Sequence, residues 1–431
     1  MKINGVALCF LTLCAFSALG DTKCLEVEPL TPQPANLRNF YVSNRGSDES
    51  KCTKESPCRE VRRVLKGLRP GDTVHLGKGH YLGFDIDGIR GFKGSPVAFV
   101  AEGKDAFIDV TADRTEEGRN RDTIFITGSA HVILDGLNSE RAFRAGLRID
   151  NSQDITVRNG TFSDAKTWGI FCDHSRDVLL ENNHVFGSKL EHGIYISDSS
   201  QRPTVRYNHL HDNAGCGLHM NGDLTNGPPG VINGGRIEGN IIHDNGVKGG
   251  AGINMDGVQD SLIANNILYN NHATGIVAFQ QDAGDGPRNL KIINNTVVMA
   301  ENGRQGFQIL ASTGKIFVRN NIFYHPTSRK AGMNIGKADL ENIDSDYNLV
   351  DRYAIDEEIV MPAQWKEKFK KNEQHSLPIP DLKTVFVDPV GFNFALLPNS
   401  PAIGKGAAIP EVARTAKNDC RRTPTSIGAM D

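Results

Sequence analysis

Residues 217–223 read "GLHMNGD", in which Leu218 and Met220 are apolar while His219 and Asn221 are polar. On a strand this alternation buries the first pair and presents the second on the opposite face. An imidazole beside an amide can move a proton next to a group that the amide holds. The same frame recurs along the chain. Counting two and four residues past a repeated glycine gives Arg148 and Asp150, Phe171 and Asp173, Tyr195 and Ser197, His219 and Asn221, then Asn254 and Asp256. If the strands stack in register, neighbouring coils are about 4.8 Å apart and alternate residues about 6.6 Å apart. Tyr195 and His219 are then side by side. Asp256 lies diagonal to His219 at about 8 Å between Cα atoms, near enough for its carboxylate to orient the ring.

These types suit β-elimination or C5 epimerisation of a uronic acid. Loss of the C5 proton puts charge on the adjacent carboxylate, which a cation or strong donor must meet. A base takes the proton and an acid protonates the leaving oxygen, or returns a proton to the other face. The column assigns His219 as base, Tyr195 as acid and Asp256 as the group orienting the imidazole. Arg148, Asn221 and Asn254 are carboxylate binders, and Asp173, His192 and Asp198 complete the substrate-binding set. Lys166, Lys189 and Lys248 precede the groove strands and are a second candidate base, read first as solvated turn residues.

Two other readings use the same face. A glycoside hydrolase needs two carboxyl groups about 5 Å or about 6.5–9.5 Å apart. Asp173 and Asp256 are three coils or about 14 Å apart, too far, whereas Asp173 with Asp198 and Asp256 with Asp223 stay in range. The third reading is a carbohydrate-binding or surface-structural protein without turnover. Asp256, Asp260, Asp282 and Asp285 supply oxygens that a Ca2+ ion would use, read first as solvated loop acids. No other cofactor is indicated.

What would hold these residues in line is an internal repeat. A glycine followed by an apolar residue recurs at Gly146, Gly169, Gly193, Gly217, Gly252, Gly275, Gly306 and Gly332. Two positions beyond each apolar residue comes another inward candidate, from Ile149, Cys172 and Ile196 to Ile309 and Ile335. This is period two kept in phase. A second series, including "LENNHV", "VRYNHL", "IANNIL" and "VRNNIF", sets Asn183, Asn208, Asn240, Asn266, Asn295, Asn321 and Asn348 at turns. Asn tolerates the left-handed bend, and stacked amides can satisfy one another. His184, His209, His211 and His243 flank this turn, away from the groove, and are read as surface.

Two short strands per repeat, stacked parallel, predict an all-β fold: a single right-handed parallel β-helix. A short amphipathic helix within 56–68, with Val61, Leu65 and Leu68 inward, is expected to cap the first coil. A helix at 361–376, the Pro-rich stretch to 401 and "SIGAMD" are expected to form an irregular, partly helical C-terminal cap. The division is 1–20 a cleaved signal peptide and 21–400 the β-helix with its N-terminal cap. Its repeats are clearest over 140–350, and a cap with an insertion spans 351–431. The insertions 223–235 and 280–289 leave the groove strand and are expected to wall it.

Lys2, the run "GVALCFLTLCAFSAL" and Ala18-Leu19-Gly20 have the form of an export signal, so the mature chain is expected to be secreted or periplasmic. No later segment is long and apolar enough to span a bilayer, so no membrane association is expected after cleavage. In an oxidising compartment Cys52 and Cys58 can close a local loop and Cys24 can pair with Cys420. With 48 basic and 51 acidic residues, the chain lacks the positive surplus of a nucleic-acid binder. The expected partner is a polysaccharide, met by a monomer.

"FYVSNRGSD", "SPCREVRRVL" and "LRPGDTVHLGKGHY" resemble the opening of secreted right-handed parallel β-helix proteins of the pectate-lyase-like superfamily, and "FALLPNSPAIGKG" resembles their closing segment. The resemblance spans nearly the whole mature chain and implies the fold and an exported carbohydrate-active protein. "WGIFCDHS" at 168–175 loosely resembles a stretch of alginate C5-epimerases, with a different order and spacing. The superfamily's fold hosts lyases, epimerases, hydrolases and non-catalytic proteins.

Overall fold

The computed structural model describes residues 38–110, 121–361 and 381–431, together with 364, 367–369 and 371–379. The expected signal peptide and Cys24 lie outside them, as do residues 362–363, 365–366 and 370 of the helix expected at 361–376.

Strands of two to six residues wind into a single parallel β-helix whose walls are three sheets of twelve strands each. Each coil thus has three strands where the sequence pattern predicts two. One coil runs Leu179–Glu181, His184–Phe186 and Ile194–Ile196, one strand in each of the first, second and third sheets. The Asn series lies at the corner between two of these strands. Asn182 takes a positive φ of 53° and re-aims the chain. Asn183 points inward and is buried. Its Nδ2 donates to Asn208 Oδ1 at 3.1 Å, and the ladder continues through Asn240, Asn266, Asn295 and Asn321 to Asn348 at 2.9–3.0 Å. Each Oδ1 also accepts the preceding coil's backbone N–H, as Asn208 does from Asn183 at 2.9 Å. Buried corner amides are thereby paired along the axis.

The other two corners are built likewise. Asn213, Asn245 and Asn271 form a second ladder ahead of the third sheet. Ser152, Ser175 and Ser200 accept the backbone N–H of Ser129, Ser152 and Ser175 behind it. Held at both corners, the third sheet keeps register: Ile170, Ile194, Leu218, Ile253 and Ile276 pair in sequence and are fully buried. The repeated glycine follows from crowding at the strand entry. A Cβ on Gly217 would lie 2.5 Å from Ile242 Cγ2, and one on Gly193 2.6 Å from Asn213 Nδ2.

The N-terminal helix is a single turn, Arg62–Leu65, with Val61 and Val64 buried in the main core and Leu65 and Leu68 against it. Cys52 and Cys58 are bonded. Cys420 is also in a disulfide. The segment 381–431 runs back along the flank instead of closing the last coil. Val385, Phe386, Phe394 and Ile427 pack on Val298, Ile322 and Leu349 of the second sheet. Val412 packs on Leu262, Ala264 and Ile293, and the Tyr207 hydroxyl reaches Asn418 Oδ1 at 3.0 Å. No helix among the described residues is long and apolar enough to cross a membrane.

Candidate functional site

On the outer face of the third sheet, Phe171, Tyr195, His219 and Asn254 occupy paired positions on successive strands, and Asn221 pairs with Asp256. The rings stack. Phe171 and Tyr195 have centroids 5.2 Å apart at 13°, and Tyr195 and His219 are 5.0 Å apart at 22°. Trp168 leans on Phe171 at 4.5 Å and on Tyr195 at 5.7 Å. The Arg148 guanidinium extends the column, lying 5.3 Å from the Phe125 centroid and 5.4 Å from that of Phe171.

The hydrogen bonds decide what each group can do. The Cys216 backbone N–H donates to His192 Nδ1 at 3.0 Å, so that nitrogen carries the lone pair. Burial holds His192 well below the ordinary imidazole pKa, with His219 adding to the effect. Neutral His192 therefore carries its proton on Nε2, which meets His219 Nδ1 at 3.0 Å. His219 must accept there. Burial also pushes His219 down to about 4, so its single proton sits on Nε2. The expected base is thus, in its resting tautomer, a neutral N–H donor.

Tyr195 keeps its proton, because burial raises its pKa while Ser197 and Asn221 pull the other way. Asn221 Nδ2 donates to its hydroxyl at 3.3 Å, and Ser197 Oγ lies 3.1 Å away. His219, Tyr195, Asn221 and His192 are brought together as expected, with His192 taking the place given to Asp256 as the group orienting the ring.

Four of the other assignments fall on side chains that are already engaged. Asp256 stands diagonal to His219, but its carboxylate accepts the backbone N–H groups of Gln281 at 2.9 Å and Asp282 at 2.7 Å. Asp282 O accepts from Leu224 N, and Gly284 N donates to Gly230 O, so the two insertions grip each other. Asp256 anchors loops. Asp198 does the same through Asn226 Nδ2 at 2.9 Å, setting the first insertion along the Asn221 edge of the furrow. Arg148 is ion-paired with Asp173 at 2.6 Å, an internal pair where a carboxylate binder and a substrate contact were expected. Burial lifts Asp173 to about 6 despite that guanidinium.

These engagements leave neither hydrolase pair free. The four acids expected to offer themselves to Ca2+ do not converge. Asp285 meets Arg288, Asp260 meets Asn289, and Asp256 serves the loop. Lys189 pairs with Asp164, and Lys248 Nζ donates to Lys189 O at 2.8 Å, as turn residues do.

Sequence reasoning missed Glu191. Its Oε2 accepts Trp168 Nε1 at 2.8 Å and lies 3.7 Å from His192 Nε2, with 46% of the side chain exposed. It is the carboxylate at the open edge of the ring column. The signal was weak, because residue 191 lies in the turn before the strand, outside the period-two frame. A concavity on another part of the molecule is lined by Asn44, Lys78 and His80.

Comparison with known proteins places this geometry in a fold. Residues 108–281 match the family model described as "Periplasmic copper-binding protein (NosD)". The chain is similar to the pectate lyase Pel9A at 15% identity, with 92% of this chain and 97% of that one aligned at a TM-score of 0.62. XylC, solved with xylose, aligns at 12% identity over 91% of this chain and 98% of its own, with a TM-score of 0.55. The periplasmic alginate epimerase AlgG aligns at 15% identity over 70% and 80%, with a TM-score of 0.41. No curated protein matches the chain at a significant level. At these identities the likeness is one of fold.

Proposed function

Starting from a chain with the parallel β-helix fold of the pectate-lyase-like proteins, we propose that it is an exported carbohydrate-active protein. It takes an extended, uronate-containing polysaccharide along the Trp168–Phe171–Tyr195–His219 column. One observation carries the reading: a continuous run of stacked rings ends, beside a phenol, at an imidazole that accepts at Nδ1 and so keeps its proton on Nε2. Ring faces suit the apolar faces of sugars, and flanking donors fix their orientation.

Elimination then divides among these groups. His219 Nε2–H donates to the uronate carboxylate and stabilises the charge that grows as the C5 proton leaves, as a neutral imidazole can. Glu191, half in solvent at the column's edge, accepts that proton. The electron pair forms the C4–C5 double bond, the C4–O bond breaks, and Tyr195 passes its hydroxyl proton to the leaving oxygen. In epimerisation the phenol would instead return a proton to C5 from the opposite side.

Incubation of the mature protein with a panel of uronate polymers tests this. Ultraviolet absorbance of unsaturated ends together with new reducing ends marks a lyase, and C5 exchange with solvent protons marks an epimerase. New reducing ends without absorbance would overturn both. The pairing of Arg148 with Asp173 favours a second reading, binding without turnover, because the guanidinium that would meet the uronate carboxylate is already engaged. That reading gives retention on the polymer with no new ends and no exchange.

A further inference from the structure

The second sheet carries a constellation of its own. His184, His209, His211 and His243 project outward from three adjacent strands, with Val185, Leu210 and Ile242 filling the core between them. Register pairs His184 with His209 and His211 with His243. Diagonal Nε2 atoms meet, His184 with His211 at 2.6 Å and His209 with His243 at 2.7 Å. Ligand atoms of His184, His209 and His211 all lie within 4.8 Å of one another.

Two features prepare this row of surface rings for an ion, whose binding displaces the Nε2 protons that His184 and His209 donate to His211 and His243. His211 Nδ1 meets Asp212 Oδ2 at 2.6 Å, and His243 Nδ1 meets Asp244 Oδ2 at 2.5 Å. A carboxylate on Nδ1–H fixes the tautomer with Nε2 unprotonated and raises its basicity, the arrangement that supports imidazole ligands of metals. The rings are also held in place. His211 and His243 stack at 1°, with Phe186 against one and Tyr269 against the other.

We propose that His184, His209 and His211, with His243 stacked beside them, form a binding site for a divalent first-row transition ion such as Zn2+, separate from the furrow. Imidazole nitrogens alone suit such ions, whereas Ca2+ and Mg2+ require oxygen ligands. Tetrahedral bonds of about 2.0–2.1 Å set ligand nitrogens about 3.3 Å apart, so the His184–His211 pair opens by about 0.7 Å, His209 closes on it from within 4.8 Å, and a water takes the fourth position.

The test uses the exported chain with Zn2+ by calorimetry and Co2+ by visible absorption. One ion per chain is expected, with a tetrahedral Co2+ spectrum lacking a thiolate charge-transfer band, and a rise in unfolding temperature with added Zn2+. His209→Ala combined with His211→Ala should weaken binding at least 100-fold, and Asp212→Asn, at an exposed position, about 10- to 100-fold. Cys216→Ser controls for the buried His192, Cys216 and His219 group, which also clusters, and should leave binding unchanged. Wild-type binding no tighter than that of the double variant would overturn the proposal. So would a thiolate band, loss of binding in Cys216→Ser, or an Asp212→Asn protein that binds like wild type.

Discussion

At the scale of single residues, proton position matters more than residue type. His219 was legible as a candidate from its alternation with Leu218 and Met220, and its neighbour Tyr195 from the register. Its role was not, because the tautomer is dictated by the Cys216 backbone N–H acting through His192, a bond between a turn and a strand that no local pattern encodes. The donor role separates two variants. His219→Ala should lower turnover about 100- to 1,000-fold, the usual cost of losing one such donor. His219→Gln, which keeps an N–H, should recover a measurable part of it in the same absorbance assay, whereas a base could not be replaced by an amide. The same burial sets a pH dependence. His219 and His209 lie near 4 in the fold against about 6.5 unfolded, and His184, His192 and His243 are lowered too. The unfolded chain therefore binds more protons between these values. Stability present above about pH 6.5 is lost as pH falls toward 4, by up to about 3 kcal/mol for His219 before solvent screening is discounted. Asp173 and Asp351, lifted to about 6, act in the opposite sense, so the test is differential: His219→Gln should lessen the fall of the urea midpoint between pH 7 and 4 relative to wild type, and an unchanged dependence would contradict the assignment.

At the scale of elements, the Gly-apolar frame and the Asn series were readable because each occupies the same place in every coil. The third strand was hidden. The residues after each Asn, as in "LENNHV", are too few to show a period of their own, so the pattern reads as two strands per repeat where each coil has three. The engagements of Asp256, Asp198 and Arg148 were hidden for another reason: their partners come from loops or other coils whose paths the repeat does not specify. The corners invite a direct measurement. Asn266 accepts Asn240 N–H and Nδ2 and donates to Ile237 O and Asn295 Oδ1, all buried. Asn266→Ala strands those groups and should cost about 2–4 kcal/mol in urea unfolding, far above a solvent-facing truncation. Asp256→Asn should act on the loops instead. With weaker acceptance from Gln281 and Asp282, limited proteolysis should cut within 223–235 or 280–289 sooner, while turnover falls less than in His219→Ala.

At the scale of the whole molecule, a solenoid buries its inner faces coil by coil, so its outer faces decide what else it carries. On the third sheet the outer face is the furrow, and on the second it begins as the histidine grid. Farther along, the second sheet turns apolar at Ile322 and Leu349, and the segment 381–431 lies on that strip with Val385, Phe386, Phe394 and Ile427. It is also stapled there by Asn294 Nδ2, which donates to Ser426 O at 3.1 Å and Gly428 O at 3.0 Å. Each such side chain buried contributes about 1.5–3 kcal/mol, and uncovering the strip would leave a contiguous apolar patch on a sheet. A chain ending at Ile379 should therefore self-associate and unfold at a lower temperature, as read by light scattering and calorimetry. Phe394→Ala tests the same contact with the chain intact and should cost about 3–5 kcal/mol. Phe394 and Phe392 flank Tyr269, whose ring stacks on His243, so the strap reaches one end of the grid. A truncated chain that stays monomeric with an unchanged unfolding temperature would mean the segment merely rests on the coils; a shift in both Phe394→Ala stability and Zn2+ affinity would mean it braces them.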